Sequence, residues 1–159
     1  MKKWLKILII IISVVLALAV AVGLFLHFAS PKYKIEHGTI ERVYIYHNEL
    51  GREYYEFTEE EKQRLIDIVE NADIGACAVN EYEAIVGGPW FSFCCEMTDD
   101  SIVQIYCANG YLHLNSIPYK IDTDSAEKIA NMHTEIDGKV LPISEEEYQE
   151  ILNNRKNQR

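Results

Sequence analysis

Positive charge is scarce in this sequence relative to negative. There are 15 Lys and Arg against 25 Asp and Glu, a formal net charge of −10 over 159 residues. The imbalance is also uneven. Lys2, Lys3 and Lys6 lie in the first 30 positions, where there is no carboxylate, so the other 12 cations face all 25 carboxylates. A surface of that sign repels phosphate backbones and anionic headgroups, which argues against a nucleic-acid partner. Catalytic signatures are absent too: no HExxH, GxSxG, P-loop or GxGxxG pattern occurs. No zincin site, nucleophile elbow or phosphate cradle is therefore written in recognisable form. No CxxC occurs, which excludes a thioredoxin-type motif. No cysteine precedes Cys77, which excludes a lipoprotein anchor. Internal repeats and low-complexity tracts are likewise missing.

What is present begins with an apolar run. From Ile7 to Leu26 there is no charged residue, and only Ser13 and Gly23 interrupt the hydrocarbon. About 20 helical residues at ~1.5 Å each match a bilayer core of ~30 Å. Trp4 and His27 stand where interfacial residues belong. Ala17-Leu18-Ala19 and Ala19-Val20-Ala21 satisfy the small-x-small rule of a cleaved signal peptide. Cutting there would leave Val22, Leu24, Phe25, Leu26 and Phe28 as an exposed apolar tail, so a retained anchor is the expectation. The basic leader favours an N-terminus inside and the C-terminal domain outside the cytoplasm, although Lys32, Lys34 and Arg42 follow the run. The predicted organisation is a basic leader and transmembrane anchor over 1–30, a linker over 31–38, one domain over 39–154 and a frayed basic tail over 155–159.

Within the domain, Thr39–His47 and Arg52–Phe57 read as strands joined by a turn at Asn48–Gly51. Val43 and Ile45 fall on one face of the first strand, Tyr44 and Tyr46 on the other. Thr58 with Glu61 forms a capping box opening a helix over 59–71. Residues 72–89 are hard to read: Ala76–Val79 suggests a short strand and Gly87-Gly88-Pro89 a break. Trp90–Met97, Ile102–Ala108 and the residues after Asn109-Gly110 alternate as a three-stranded meander, the Asn-Gly pair marking a type I′ turn. A loop at Asp99-Asp100-Ser101 would set Met97 opposite Val103 and Cys95 opposite Ile105. One face then reads Phe91, Phe93, Cys95, Met97, Val103, Ile105, Cys107, Leu112 and Leu114, and the other is polar. Ile117–Ile121 is an edge strand because Pro118 cannot donate to a ladder. Asp124 caps a helix bearing Ala126, Ile129, Ala130 and His133, and Ser144 with Glu147 opens a last helix whose seam is Tyr148, Ile151 and Leu152. Strands and helices segregate, so the fold class is α+β: an antiparallel sheet of two hairpin or meander units with two to three helices packed on one face, preceded by one N-terminal transmembrane helix.

Four classes of residue carry candidate chemistry. Cys95 and Cys107 share the core face one pairing step apart and form the disulfide candidate, with buried free thiols as the alternative. Cys94 points to the opposite face, and adjacent Cys94-Cys95 cannot both ligate one ion. Asp99-Asp100 and Asp122/Asp124 are turn and cap chemistry rather than a calcium loop. No metal and no cofactor is expected. His113 opposite Tyr106, beside Gln104 and Tyr111, is the one polar cluster on a rigid sheet, and exposed tyrosines suit contact with a protein, peptide or glycan. The expected function is therefore a membrane-anchored extracytoplasmic binding or interaction module without catalytic residues, with Tyr106, Tyr111, His113 and Gln104 as its ligand face. A small hydrolase or thiol-redox enzyme around His113 and Cys94, or an accessory or sensor subunit of a membrane complex, are the alternatives.

Overall fold

A computed structural model describes residues 3–47, 51–79 and 92–157. The turn at Asn48–Leu50, the Gly87-Gly88-Pro89 break and the first residues of the meander, Trp90 and Phe91, lie outside the described residues. α1 (Lys3–Phe28) is the apolar helix. Its 26 residues have a mean hydropathy of 3.3 in their most apolar window, and none is buried against the rest of the chain. It is long and apolar enough to cross a membrane, a property that signal sequences share.

The segment expected to be a linker is instead a helix. α2 (Pro31–His37) starts one residue after Ser30, whose hydroxyl accepts from the Tyr33 N–H at 3.2 Å. Proline at the first helical position and a serine cap are a favoured start. The helix is too short to persist alone, and docking holds it. Ile35 is buried in the core, the Lys32 ammonium donates to the Ile74 carbonyl at 2.6 Å, and Lys34 donates to Ser101 Oγ at 2.8 Å and Asp99 at 3.1 Å. At its end, a Cβ on Gly38 would meet the Lys34 carbonyl oxygen at 2.2 Å and Met97 Cε at 2.5 Å, so glycine is required there by close approach.

Among the described residues the domain is an antiparallel sheet of eight strands: β1 (Ile40–His47), β2 (Glu53–Glu56), β3 (Ile74–Cys77), β4 (Phe93–Met97), β5 (Ile102–Ala108), β6 (Tyr111–Leu114), β7 (Ile117–Ile121) and β8 (Leu141–Pro142). Their spatial order is β3-β7-β6-β5-β4-β1-β2-β8. Ile117–Ile121, expected at an edge, is thus covered by β3, and Pro118 is tolerated beside it. The other helices are α3 (Glu59–Asn71), α4 (Thr123–Asp137) and α5 (Glu145–Asn157). α5 runs into the tail expected to fray.

The meander forms, and its second hairpin has the expected register, Tyr106 facing His113 and Cys107 facing Leu112. In the first hairpin Cys95 faces Val103 and Phe93 faces Ile105, a slip of two from expectation. The cause is the turn. Asp100 adopts φ 65° and the Met97 N–H donates to the Ser101 carbonyl at 2.8 Å, so the three-residue loop is Thr98-Asp99-Asp100 with an aspartate in the left-handed position that this residue tolerates. A slip of two keeps the side-chain parity, so the face assignment survives. Phe93, Cys95, Ile105, Leu112 and Leu114 are all fully buried.

α3 and α4 cover that face. The α3 capping box forms as read, with Leu65, Ile68 and Val69 turned inward. On α4 the cap is Asp122, whose carboxylate accepts from the Ser125 N–H at 2.8 Å, and not Asp124. Its buried stripe is Ala126, Ile129, Met132 and Ile136, while Ala130 is exposed. α5 departs from the expectation of helices on one side. Tyr46 alternates with the inward Ile45, and Tyr148 of α5 stacks on Tyr46 at 4.1 Å and 3°, so α5 lies on the opposite face.

Candidate functional site

An open groove of about 1020 Å³ lies between α3 and the start of α4. Helix geometry builds it. Glu60, Arg64, Asp67 and Asn71 recur at three- and four-residue spacing along the solvent side of α3, and Asp122, Asp124 and Lys128 line the facing turn of α4. With Asp73 the groove holds five carboxylates and two cations, so its field is negative. Both cations are engaged: Lys128 donates to Asp124 at 2.5 Å, and Arg64 makes a two-pronged contact with Glu135 at 2.5 and 3.2 Å. Asp122 accepts from the N–H groups of Ser125 and Asp73, which hold its carboxyl below the usual range. Ser125 is buried under that cap. The groove holds no cysteine and no histidine, so what it offers is a concave anionic surface for a cationic group. Among the described residues no group of three or more His, Cys, Asp and Glu is arranged to hold a metal ion.

The residues expected to form a ligand face are placed differently. Tyr106 and His113 stack at 4.4 Å and 8° across β5 and β6, and Gln104 and Tyr111 share that face. Yet His113 is only 1% exposed, while Tyr106 and Tyr111 are half-buried and Gln104 is exposed. Burial lowers the His113 pKa, against an opposing backbone hydrogen bond with Ser116, which keeps the imidazole neutral near pH 7. Most of this cluster is therefore packed rather than presented.

The four cysteines are free thiols. Cys95 faces Val103, and Cys107 lies four residues further along the same strand. At ~3.3 Å per residue the two are ~13 Å apart, beyond the ~7 Å Cα reach of a bridge. The structure thus does not bring together the proposed disulfide pair, and the two-residue register slip is the reason. Burial pushes the Cys94 thiol up to about 11 and the Cys107 thiol up to about 12, while Cys77 is exposed.

Two features escaped the sequence. One is a groove of about 300 Å³ at the junction of α1 and α2, lined by His27, Tyr33, Glu36, Cys77 and Tyr119, beside which the rings of Phe28 and Tyr33 meet edge-on at 4.9 Å. The other is a strip of rings on the α5 side: Tyr44 stacks on Tyr54 at 5.8 Å, and Tyr148 bridges Tyr54 and Tyr46. The alternation Tyr44/Tyr46 and the capping box before Tyr148 were legible. That one covers the other depends on chain reversal and was not.

The class these observations define is an apolar N-terminal helix joined to an α+β domain built on an eight-stranded antiparallel open sheet. Beyond that class, no family model, no curated protein and no solved structure matches the chain.

Proposed function

We propose that this chain is a membrane-anchored, extracytoplasmic interaction module that binds a protein, peptide or glycan partner without catalysing a reaction. The observation that carries the reading is the junction of α1 with the domain. The apolar helix is wholly exposed, and a soluble protein does not leave an apolar surface of that size in water. Only Ala29 and Ser30 separate it from α2, which is docked on the sheet through Ile35, Lys32 and Lys34. His27 and Phe28, which a cut after Ala19 or Ala21 would leave behind, pack against Tyr33 of α2, so the end of the apolar helix is continuous with the docked domain. The groove between α3 and α4 supplies the contact surface, and its sign suits a partner presenting lysine or arginine. The short α1–α2 connection also supports a second reading, an accessory or sensor subunit whose domain is held at fixed attitude to a partner's helices.

Cys77 is the natural reporter, being the exposed thiol of the described domain. A membrane-impermeant maleimide is expected to label it in intact cells without lysis, and the chain is expected to stay in the carbonate-washed membrane fraction. Labelling only after lysis would reverse the orientation, and recovery in the soluble fraction would remove the anchor. For the contact surface, site-specific photocrosslinking in the membrane is expected to lose its adducts in Asp67→Asn/Asp124→Asn and keep them in Tyr106→Ala/Tyr111→Ala. The opposite pattern would move the site to the sheet face.

A further inference from the structure

α5 is attached unlike the other helices of the domain. α3 and α4 each bury residues in the core, whereas no described side chain of α5 is buried. Among the described residues its ties are the Tyr148 ring against Tyr46 and Tyr54, the Arg52–Glu145 ion pair at 2.5 Å, the Ile143 N–H donating to the Arg52 carbonyl at 2.7 Å, and the two-residue strand β8 on the outer side of β2. The Ser144 capping box fixes where the helix begins but adds nothing that binds it to the sheet. A 13-residue helix is marginal without packing, so contacts of this kind decide whether it stays docked.

What lies beneath is chemically distinct. Tyr44, 8% exposed, faces Cys94, 9% exposed, across β1 and β4. Tyr44 stacks on Tyr54, whose ring also meets Tyr148, so Cys94 lies on the α5 side of the sheet, one strand from the rings that α5 covers. Cys95, its neighbour on the same strand, points into the core beneath α3 and α4 and is 0% exposed.

We propose that α5 is a reversible lid over the tyrosine strip and the Cys94 thiol, and that it opens while the sheet remains folded. Opening frees the Tyr44, Tyr46 and Tyr54 rings, the Arg52 guanidinium and one thiol in a single step. The two adjacent cysteines make the device measurable, because one sits under the lid and the other in the core.

The test labels the full chain in detergent micelles with N-ethylmaleimide and maps the adducts by mass spectrometry across low urea concentrations. Cys94 is expected to label faster than Cys95, at a rate insensitive to low urea, as local opening is. Tyr148→Ala is expected to raise Cys94 labelling about tenfold, the size of a lost aromatic stack, and to leave Cys95 unchanged. Equal rates for the two cysteines with the same urea dependence would mean that both open only on global unfolding, and the lid would be abandoned. If Tyr148→Ala does not fold, Arg52→Gln provides the second lever. Unchanged Cys94 labelling in that variant would also overturn the proposal.

Discussion

The two faces of the sheet are built from the same strands and are held by different physics. On one face Ile45, Phe93, Ile105, Leu112 and Leu114 meet Leu65, Ile129, Met132 and Ile136, all at 0–1% exposure. That face gains from close packing of apolar groups, which is where stability resides. On the other, tyrosine rings stack under a helix with no described buried side chain, so the contacts described there are directional. The difference teaches that burial alone is a poor guide here. Tyr44 and Cys94 are nearly as enclosed as the core, yet the helix proposed to cover them buries no described side chain.

Truncation puts numbers on that contrast. Phe93 is 0% exposed and lies edge-on to Phe57 at 5.2 Å, and Phe93→Ala is expected to cost about 3–5 kcal/mol in chemical denaturation of the domain. Tyr148→Ala should cost about 1 kcal/mol and act on α5 amide exchange rather than on the global midpoint. Equal losses would erase the distinction between the faces. Next in size is Gly38→Ala, where the added methyl meets backbone on one side and the flexible end of Met97 on the other. Because the Lys34 carbonyl cannot retreat without breaking the α2 turn, about 1–3 kcal/mol is expected. The loss should appear as faster exchange in α2 before any other helix, and a silent substitution would show that α2 is not held by its close approach.

A smaller effect belongs to Glu61, which ties the packed face together at its rim. Its carboxylate accepts from the Thr58 N–H at 2.8 Å, from the Tyr55 hydroxyl at 3.0 Å and from Lys139 at 2.5 Å. Burial raises its pKa, but the hydrogen bonds from Lys139, Thr58 and Tyr55 outweigh that and leave it below 4.5. A depressed folded pKa contributes stability that is complete above the unfolded value and disappears as pH falls through the folded one. The domain should therefore lose stability below about pH 4.5, the unfolded value of a glutamate. Glu61→Gln should remove about 1 kcal/mol at pH 7, discounted because Lys139 is half-exposed, and should flatten that acid limb. An unchanged limb in the variant would assign the acid loss to other carboxylates.

How much of this was legible follows from where each signal sits. The meander was readable because alternation and Asn109-Gly110 are local, and parity protected the face assignment from an error in the first turn. That error arose because either aspartate of Asp99-Asp100 suits a turn, and only the bond between Met97 and Ser101 tells which takes the left-handed position. α2 was missed for a different reason. Pro31–His37 carries three charged residues in seven, a composition that reads as linker, and its helicity depends on hooks to residues 40 or more positions away. The groove between α3 and α4 was missed because its carboxylates come from segments that each had a sufficient local role, as helix face or as cap. The expected tyrosine and histidine face was found as a group, but no single-strand pattern reports that His113 is covered.

The smallest effect on stability has the sharpest structural meaning. Among the described residues β3 is one of the two outermost strands of the sheet, beyond β7, and an outermost strand offers unpaired backbone to any passing chain. Here Lys32 reaches across from α2 and donates to the Ile74 carbonyl at 2.6 Å, with Gly75 at 3.4 Å, while Ala76 and Cys77 remain exposed. A lysine at an edge both satisfies the carbonyls and sets a charge where a second strand would lie. Lys32→Ala should then shift the midpoint by about 0.5 kcal/mol, the low end for one part-buried hydrogen bond, yet increase self-association in detergent, read by analytical ultracentrifugation. Lys32→Arg, which keeps charge and donors, should remain at the wild-type mass. If Lys32→Ala stays at that mass as well, the lysine fastens α2 to β3 and guards nothing; if the alanine variant associates and the arginine variant does not, the same side chain holds the junction and keeps the sheet from growing.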